Sequence, residues 1–422
     1  MSPALPDGEA PPVDGALPSW VANGAGDRGF GVYLHVPFCS VRCGYCDFNT
    51  YTATELGGGA SQVNYARTAI TEIELATGVM DRAGLPARTA NTVFFGGGTP
   101  TMLPAKDLAA MLGAVKDTWG LTPGAEVTTE ANPDSVSPQY LQELAQAGFT
   151  RVSFGMQSAV PHVLATLERT HDPRRIPDVV TWARDAGLDV SLDLIYGTPG
   201  ESLDDWRTSV ETAVATGVDH VSAYALVVEP GTKMAAQVRR GFLTLPNEDD
   251  QAAKYELVDD LLTAAGLTWY EVSNWSRTDD TACQHNLAYW RGDDWWGVGP
   301  GAHSYLGGAP NAGEPDDEHA SGLRWWNVKH PIRYANLLEQ GQSPAAGRER
   351  LTRSEADLER LMLGIRLRSG LPVDVLSPAA RTRVAGHIAA GLIEGAHAVR
   401  GQLVLTRRGR LLADTVIRDL SD

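Results

Sequence analysis

Apolar positions along the chain follow two periods that trade places. Short runs nearly continuous in Val, Ile, Leu, Phe and Tyr alternate with longer stretches in which apolar residues return every third or fourth position. The first pattern is that of buried strands and the second that of amphipathic helices. Strands are predicted at Gly31–Phe38, Ala90–Phe95, Glu126–Ala131, Arg151–Met156, Asp189–Tyr196 and His220–Val228. Helices are predicted between them at Gln62–Ala83, Leu103–Trp119, Pro138–Ala147, Pro161–Leu167, Arg174–Ala186 and Leu203–Thr216. Gly148, Gly187 and Gly217 stop three of these helices, and Pro104 fits the first turn of another. Such repeated alternation predicts an α/β fold, a parallel sheet covered by helices that is either doubly wound or curved into a barrel. Thr99, Glu130, Gln157, Asp193 and Glu229 gather where the strands end, and in a barrel those ends form one functional face.

Beyond this region the pattern weakens. Leu245–Ala265 reads as a helix and Leu267–Trp275 as a strand, but Thr278–Gly341 is crowded with Trp, Gly, His and Asp and shows little periodicity. Loops with short elements are expected there, with Ala309–Ser321 as an exposed acidic loop, and Thr54–Ser61 reads as a Gly-rich connection. Helices return at Glu355–Arg368, Arg381–Ala390 and Arg407–Asp419, with a hairpin predicted from Ala396–Val399 and Gln402–Leu405. That order suggests a small winged-helix-like α+β domain, serving as a packing or lid domain rather than a DNA binder. Residues 1–28 are rich in Pro, Gly and Ala without periodicity and are expected to form a disordered leader. The expected organisation is thus a leader over 1–28, a strand–helix core over 29–240, an aromatic-rich connection completing one side of it over 241–350, and a C-terminal domain over 351–422.

The chain of 422 residues is long enough for a large core and a smaller domain. No apolar run is long enough to span a membrane, and the N-terminus lacks the basic and apolar regions of a secretory signal. A formal charge of −17 disfavours broad nucleic-acid binding. There are four cysteines, three of them clustered, which argues against a disulfide scaffold and for a reducing, cytoplasmic setting.

The cluster is the strongest chemical signal. Cys39, Cys43 and Cys46 are spaced C-x3-C-x2-C at the end of the first predicted strand, and the fourth cysteine, Cys283, is remote. A structural zinc site or a simple four-iron cluster is usually closed by four ligands. Three thiolates on a four-iron cluster leave one iron open to a small molecule. A zinc site completed by His35 or Asp47, or three unligated thiols, are the alternatives. Arg42 is either a cation tuning such a cluster or a solvated loop residue. Gly96-Gly97-Gly98-Thr99-Pro100 follows the next strand, and its glycines would let backbone groups approach a ligand, although a tight turn is the ordinary use of such a triplet. Glu130 and Asp193 are carboxylates inside apolar runs, so each needs a partner, either a ligand or an arginine such as Arg151 or Arg169. Cys283 and His285 sit among Tyr289, Trp290, Trp295 and Trp296, a set that suits a flat macrocycle and equally suits a core.

In order along the chain, YLHVPFCSVRCGYC, FFGGGTPT, EANPD, SFGMQS, LERTH and DLIYGTPGES resemble the oxygen-independent coproporphyrinogen III oxidase-like branch of the radical S-adenosylmethionine (SAM) proteins. The resemblance runs from Gly31 to the C-terminus. It implies a partial (β/α)6 barrel holding a [4Fe-4S] cluster on Cys39, Cys43 and Cys46, with SAM on the open iron. It further implies that Tyr33 and the backbone beside Tyr45 contact SAM, that Gly97, Gly98 and Thr99 hold its amino end, that Glu130 and Arg169 bind its methionyl part, and that Gln157 and Asp193 bond its ribose hydroxyls. Within that branch the true oxidases carry a further cysteine two residues past the third, where this chain has Phe48. The HemW-type heme chaperones lack it and carry an HNxxYW motif, matched here by His285-Asn286-Leu287-Ala288-Tyr289-Trp290. The resemblance to that group implies heme as a ligand, with His285 and Cys283 as candidate heme contacts. It also implies a heme-accepting protein as partner, met peripherally if it is membrane-bound, and an electron donor for the cluster. The rivals are the oxidase itself and a radical SAM enzyme acting on another substrate, such as a methyltransferase.

Overall fold

The computed structural model describes residues 6–52, 61–310 and 320–421, so most of the Gly-rich connection and of the expected acidic loop lie outside the described residues. Six strands lie side by side in chain order, all parallel: β1 (Phe30–Val36), β2 (Ala90–Gly97), β3 (Leu121–Ala131), β4 (Arg151–Gln157), β5 (Asp189–Tyr196) and β6 (His220–Ala225). The crossovers are α1 (Gln62–Arg82), α2 (Ala105–Trp119), α3 (Pro138–Ala147), the short α4 (Pro161–Thr166) with α5 (Ile176–Asp185), and α6 (Leu203–Ala215). Ser137 caps α3, Ser202 and Asp205 form a capping box on α6, and Gly148 ends α3 in a left-handed conformation.

The strands alternate along their length. Val32, Val93, Phe95, Val127, Val152, Phe154, Leu192 and Val221 are buried in one core with Ile73, Leu108, Met111, Leu141 and Val179 of the helices. The intervening positions carry Tyr33, Phe94, Glu130, Ser153, Asp193 and Ser222 and face the other side. Parallel strands covered on both faces are normally apolar throughout. Polar side chains at most of these alternate positions therefore mark a curved sheet with a largely polar interior, the partial barrel of the α/β class.

The sheet does not stop at these strands. β6 is followed by the hairpin β7 (Thr268–Glu271) and β8 (Asn274–Ser276), where one strand over Leu267–Trp275 was expected. α7 (Lys233–Arg239) and α8 (Glu248–Ala264) precede that hairpin. The region expected to be largely loops, Thr278–Gly341, contains α9 (Gln284–Arg291), β9 (Asp294–Val298), β10 (His303–Leu306), β11 (Ala320–Asn327) and α10 (Pro331–Glu339), and β12 (Ala345–Thr352) follows. β9 pairs parallel to the outer edge of β1, and β10 to β12 continue antiparallel, giving a twelve-stranded sheet.

The expected disordered leader is corrected over its described part. Glu9 bridges to Arg348 on β12, and Trp20 and Val21 are 3% and 0% exposed in the main core. Arg28 closes the segment with a 2.9 Å ion pair to Asp294, a buried carboxylate that Arg88 also pairs with.

The C-terminal part has its own core, built from Leu361, Ile365, Leu376, Val384, Leu403, Val416 and neighbours. α11 (Arg353–Gly364) and α12 (Pro378–Ala389) form as expected. The predicted hairpin does not. Residues Gly395–Ala398 make a short helix, α13, and β14 (Gln402–Leu403) pairs with β13 (Leu371–Pro372). The final helix breaks into α14 (Arg407–Leu411) and α15 (Ala413–Leu420). Arg407 and Arg410 fasten this part to α8 through Asp259, at 2.7 and 2.8 Å.

Candidate cofactor and ligand site

β1 ends at Val36, and the cysteine loop leaves from it at the same sheet end as the glycines that close β2. The loop is pinned at both ends. The Cys39 N–H donates to the Tyr51 carbonyl (3.0 Å), and the Tyr51 N–H to the Pro37 carbonyl (2.7 Å). Asn49 in the returning arm donates to the carbonyls of Pro300 (2.9 Å) and Lys329 (2.8 Å). The glycine segment lies directly on the outgoing arm: the Gly98 N–H donates to Val36 (2.8 Å) and the Thr99 N–H to Phe38 (2.7 Å). A Cβ on Gly98 would fall 2.6 Å from the Phe38 carbonyl oxygen, so this position has room only for glycine. From the far side of the barrel, the Met234 N–H at the start of α7 donates to the Gly44 carbonyl (2.8 Å). The adjacent Lys233 pairs with Glu168 (2.6 Å), whose side chain lies against Gly44.

All three loop thiols are free and partly accessible. Thr99 Oγ1 donates toward Cys39 Sγ at 3.7 Å, and Arg169 Nη1 toward Cys43 Sγ at 3.7 Å. Burial pushes the Cys39 thiol up to about 11 and raises that of Cys46. Clustered thiols beside an arginine and a hydroxyl, two of them disfavoured from ionising by burial, suit a ligand that supplies positive charge to sulfur. Among the described residues no three His, Cys, Asp or Glu side chains converge as ligands of one metal ion. His35 is turned away from the cysteines: Nδ1 meets the Tyr33 hydroxyl (3.0 Å) and Nε2 the Asn49 carbonyl (3.0 Å).

Below the loop lies a cleft of about 420 Å3. It is lined by Cys39, Cys43 and Cys46, by Tyr45, Gly97, Gly98 and Thr99, and by Glu130, Gln157, Arg169 and Asp193. These residues come from the ends of β1 to β5 and the loops beyond them. Glu130 accepts from the Gly97 N–H (3.0 Å), which fixes the glycine turn. Asp193 accepts from Ser153 Oγ (2.7 Å). Neither carboxylate forms an ion pair with Arg151 or Arg169: Arg151 lies 3.9 Å from Glu126, and Arg169 donates to the Gly155 carbonyl (2.8 Å). Burial, and then the neighbouring Asp193 carboxylate, push Glu130 up to about 8; burial also raises Asp193. Two carboxyls competing for charge in one cleft favour a cationic ligand between them. Gln157 and Glu168 hold left-handed backbone conformations, φ 60° and 58°, which non-glycine residues rarely adopt outside such sites.

Three residues were assigned no role from the sequence. Ser153, which orients Asp193, and Glu168 lie inside the quoted SFGMQS and LERTH motifs, and Lys233 carries no local signal. Tyr33, expected at the cofactor, lies deeper in the barrel, stacked on Phe94 at 6.3 Å, and is not among the lining residues.

The radical SAM superfamily model matches residues 33–213. A Mycobacterium tuberculosis protein named heme chaperone HemW is 52% identical over 392 residues, covering 93% of this chain and 94% of that protein. A Bacillus subtilis protein of the same name is 31% identical over 399 residues, 91% of this chain and 97% of that one. The chain belongs to the HemW heme-chaperone family of radical SAM proteins. The crystallised Escherichia coli coproporphyrinogen III oxidase, HemN, shares the fold, with a TM-score of 0.74 at 20% identity over 93% of this chain and 90% of that one.

Membership in the HemW family gives the HNLAYW segment particular interest, and the structure places its His285, with Cys283 before it, in the buried interior and off the cleft. The segment forms α9, which plugs the barrel at the end opposite the cysteine loop. Its first turn is capped from β3, where Glu126 accepts the N–H groups of Gln284 and His285, both at 3.0 Å. His285 is 2% exposed, and both ring nitrogens are engaged, Nδ1 with Thr92 Oγ1 (2.8 Å) and Nε2 with the Tyr289 hydroxyl (2.9 Å). Its ring stacks on Phe94 at 5.0 Å, and burial lowers its pKa to about 3. Cys283, also 2% exposed, points its thiol at Glu126 (3.6 Å), and burial raises its pKa. The motif forms a floor for the barrel.

Proposed function

We propose that this protein is a heme chaperone, which binds heme and passes it to an acceptor protein. The observation that carries the reading is the 52% identity, over nearly the whole of both chains, to a protein named heme chaperone. The radical SAM family implies a [4Fe-4S] cluster and SAM, and the donor set fits both. Cys39, Cys43 and Cys46 would hold the cluster, with Arg169 and Thr99 donating to two of the sulfurs. Gly97, Gly98 and Thr99 would receive the amino end of SAM, Glu130 and Arg169 its methionyl part, and Gln157 and Asp193 its ribose, with Tyr45 alongside. Bound together, the two groups supply reductive cleavage of SAM to a 5′-deoxyadenosyl radical, given an electron donor. Phe48, in place of a further loop cysteine, favours the chaperone over the oxidase. The work is proposed to take place in the cytoplasm, on a donor and an acceptor met there or at a membrane surface; no helix of the described residues is long and apolar enough to cross a membrane.

The test is an anaerobic hemin titration of the reconstituted protein, followed in the Soret region, beside incubation with coproporphyrinogen III, SAM and reductant. Saturable binding at one hemin per chain without protoporphyrinogen formation is expected. Formation of protoporphyrinogen, or the lack of saturable binding, would overturn the reading.

A further inference from the structure

The cleft is divided by polarity. Its depth carries Glu130, Gln157, Arg169 and Asp193, groups suited to a small, polar, charged ligand. Its mouth is different. Val41 and Phe48 of the cysteine loop and Val227, just past β6, all line the cleft and yet are 44%, 58% and 62% exposed. Large apolar side chains standing in water around a charged cleft mark a surface that is covered in use. Arg42, between Val41 and the second cysteine, lines the same mouth. Among the described residues its hydrogen bonds are long, at 3.5 and 3.4 Å to the carbonyls of Cys46 and Phe48, and it pairs with no carboxylate. Of the acids nearby, Glu168 is taken by Lys233, and Asp47 acts on Lys329.

We infer that heme lies across the mouth of this cleft, with its macrocycle against Val41, Phe48 and Val227 and a propionate toward Arg42. A flat apolar ring with anionic edge groups matches an apolar rim carrying one cation. The same placement accounts for the sealed floor. Heme recognised at the rim needs neither His285 nor Cys283, and it would sit over the pocket assigned above to the cluster and SAM. The inference rests on the proposed heme function and names where that function resides.

Hemin titrations of the full-length reconstituted protein and five variants test it, with iron and sulfide content measured for each. Phe48→Ser and Val227→Ser each weaken hemin binding about tenfold, the loss expected when a large apolar contact is removed. Arg42→Gln weakens it about threefold. His285→Ala leaves the affinity within about twofold. Phe242→Ser, another exposed phenylalanine (73%) that does not line the cleft, also leaves it unchanged and separates a site from general adhesion to apolar surface. If the wild type binds one hemin and the rim variants bind as tightly, the rim is the wrong place while the heme function stands. Equal weakening by Phe242→Ser and Phe48→Ser would show adhesion in place of a site and overturn the inference. If the wild type binds no hemin, the proposed function fails and the inference goes with it.

Discussion

Replacing His285 by alanine separates a floor residue from a heme ligand. The substitution removes two buried hydrogen bonds, to Thr92 and Tyr289, each contributing about 1 kcal/mol. It also removes the stack on Phe94 at 5.0 Å and the edge contact with Tyr289 at 4.9 Å, together about 1 kcal/mol. With the cavity left behind, the loss is about 3 to 4 kcal/mol, within the range of large-to-small core substitutions. For a cooperative unit of this size, with an unfolding entropy of about 2 cal/mol/K per residue, that lowers Tm by about 4 °C. Thr92→Val and Tyr289→Phe each remove one of the bonds and cost about 1 kcal/mol, and neither adds fully to His285→Ala because the groups share one contact network. Thermal unfolding of the cofactor-free protein, beside hemin titration of the same preparations, gives both readouts. An His285→Ala protein that melts within about 1 °C of wild type while losing tenfold or more in hemin affinity would refute the reasoning.

Four further outcomes are expected. Cys43→Ala abolishes stable cluster assembly, read from iron, sulfide and the brown absorbance after reconstitution; full retention of all three would remove this thiol from the cluster. Asp193→Ala weakens SAM binding about ten- to hundredfold by calorimetry while the cluster persists, and an unchanged affinity would take Asp193 out of the site. Gly98→Ala forces the glycine turn off the Phe38 and Val36 carbonyls, so cluster yield falls while the fold persists by circular dichroism; wild-type cluster yield would contradict the close approach seen there. The fourth concerns Glu72, which accepts bonds from the Gly299 N–H (2.7 Å), Asn327 (2.6 Å) and the Tyr334 hydroxyl (2.5 Å) and is pushed up to about 7 by burial from an ordinary 4.5. Between those values the folded carboxyl keeps a proton that the unfolded one has lost. Folding therefore takes up a proton, and stability falls by about 3 kcal/mol as pH rises through this window and levels off above it. Glu72→Gln removes that slope; a difference between variant and wild-type stability that does not change from pH 5 to 8 would rule out the shifted carboxyl.

The first half of the sheet was legible because its signals are local. Each strand from β1 to β6 is a short apolar run beside a helix with its own cap or stop. Acids inside those runs, Glu130 and Asp193, announced the cleft. The region after Thr278 was opaque for physical reasons. β9 carries aromatic residues on both faces, with Trp296 in the core and Trp295 packed edge-on to Tyr289 at 4.7 Å, so its period of two does not show. α9 has no capping side chain of its own, since Glu126, far back in the sequence, accepts its first N–H groups. The leader was misjudged because composition averages over a segment, while a few residues, Trp20 and Val21 in the core and Arg28 on Asp294, tie it down. Gln157 and Glu168 owe their conformations to the loops around them, which residue type does not reveal.

β1 leaves the ribosome well before its outer neighbour β9, which pairs Phe30 with Asp294, 264 residues later in the chain. Until that partner is synthesised, the edge of β1 offers an open row of backbone donors and acceptors beside three free thiols. Pairing of this span is slow, and an unprotected edge invites other strands. The nascent protein therefore passes through a period in which it is most exposed to misassembly and thiol oxidation, and yield should improve with slower synthesis and stronger reduction. Overexpression that outpaces completion of β9 would deposit the chain with its cysteine loop already damaged.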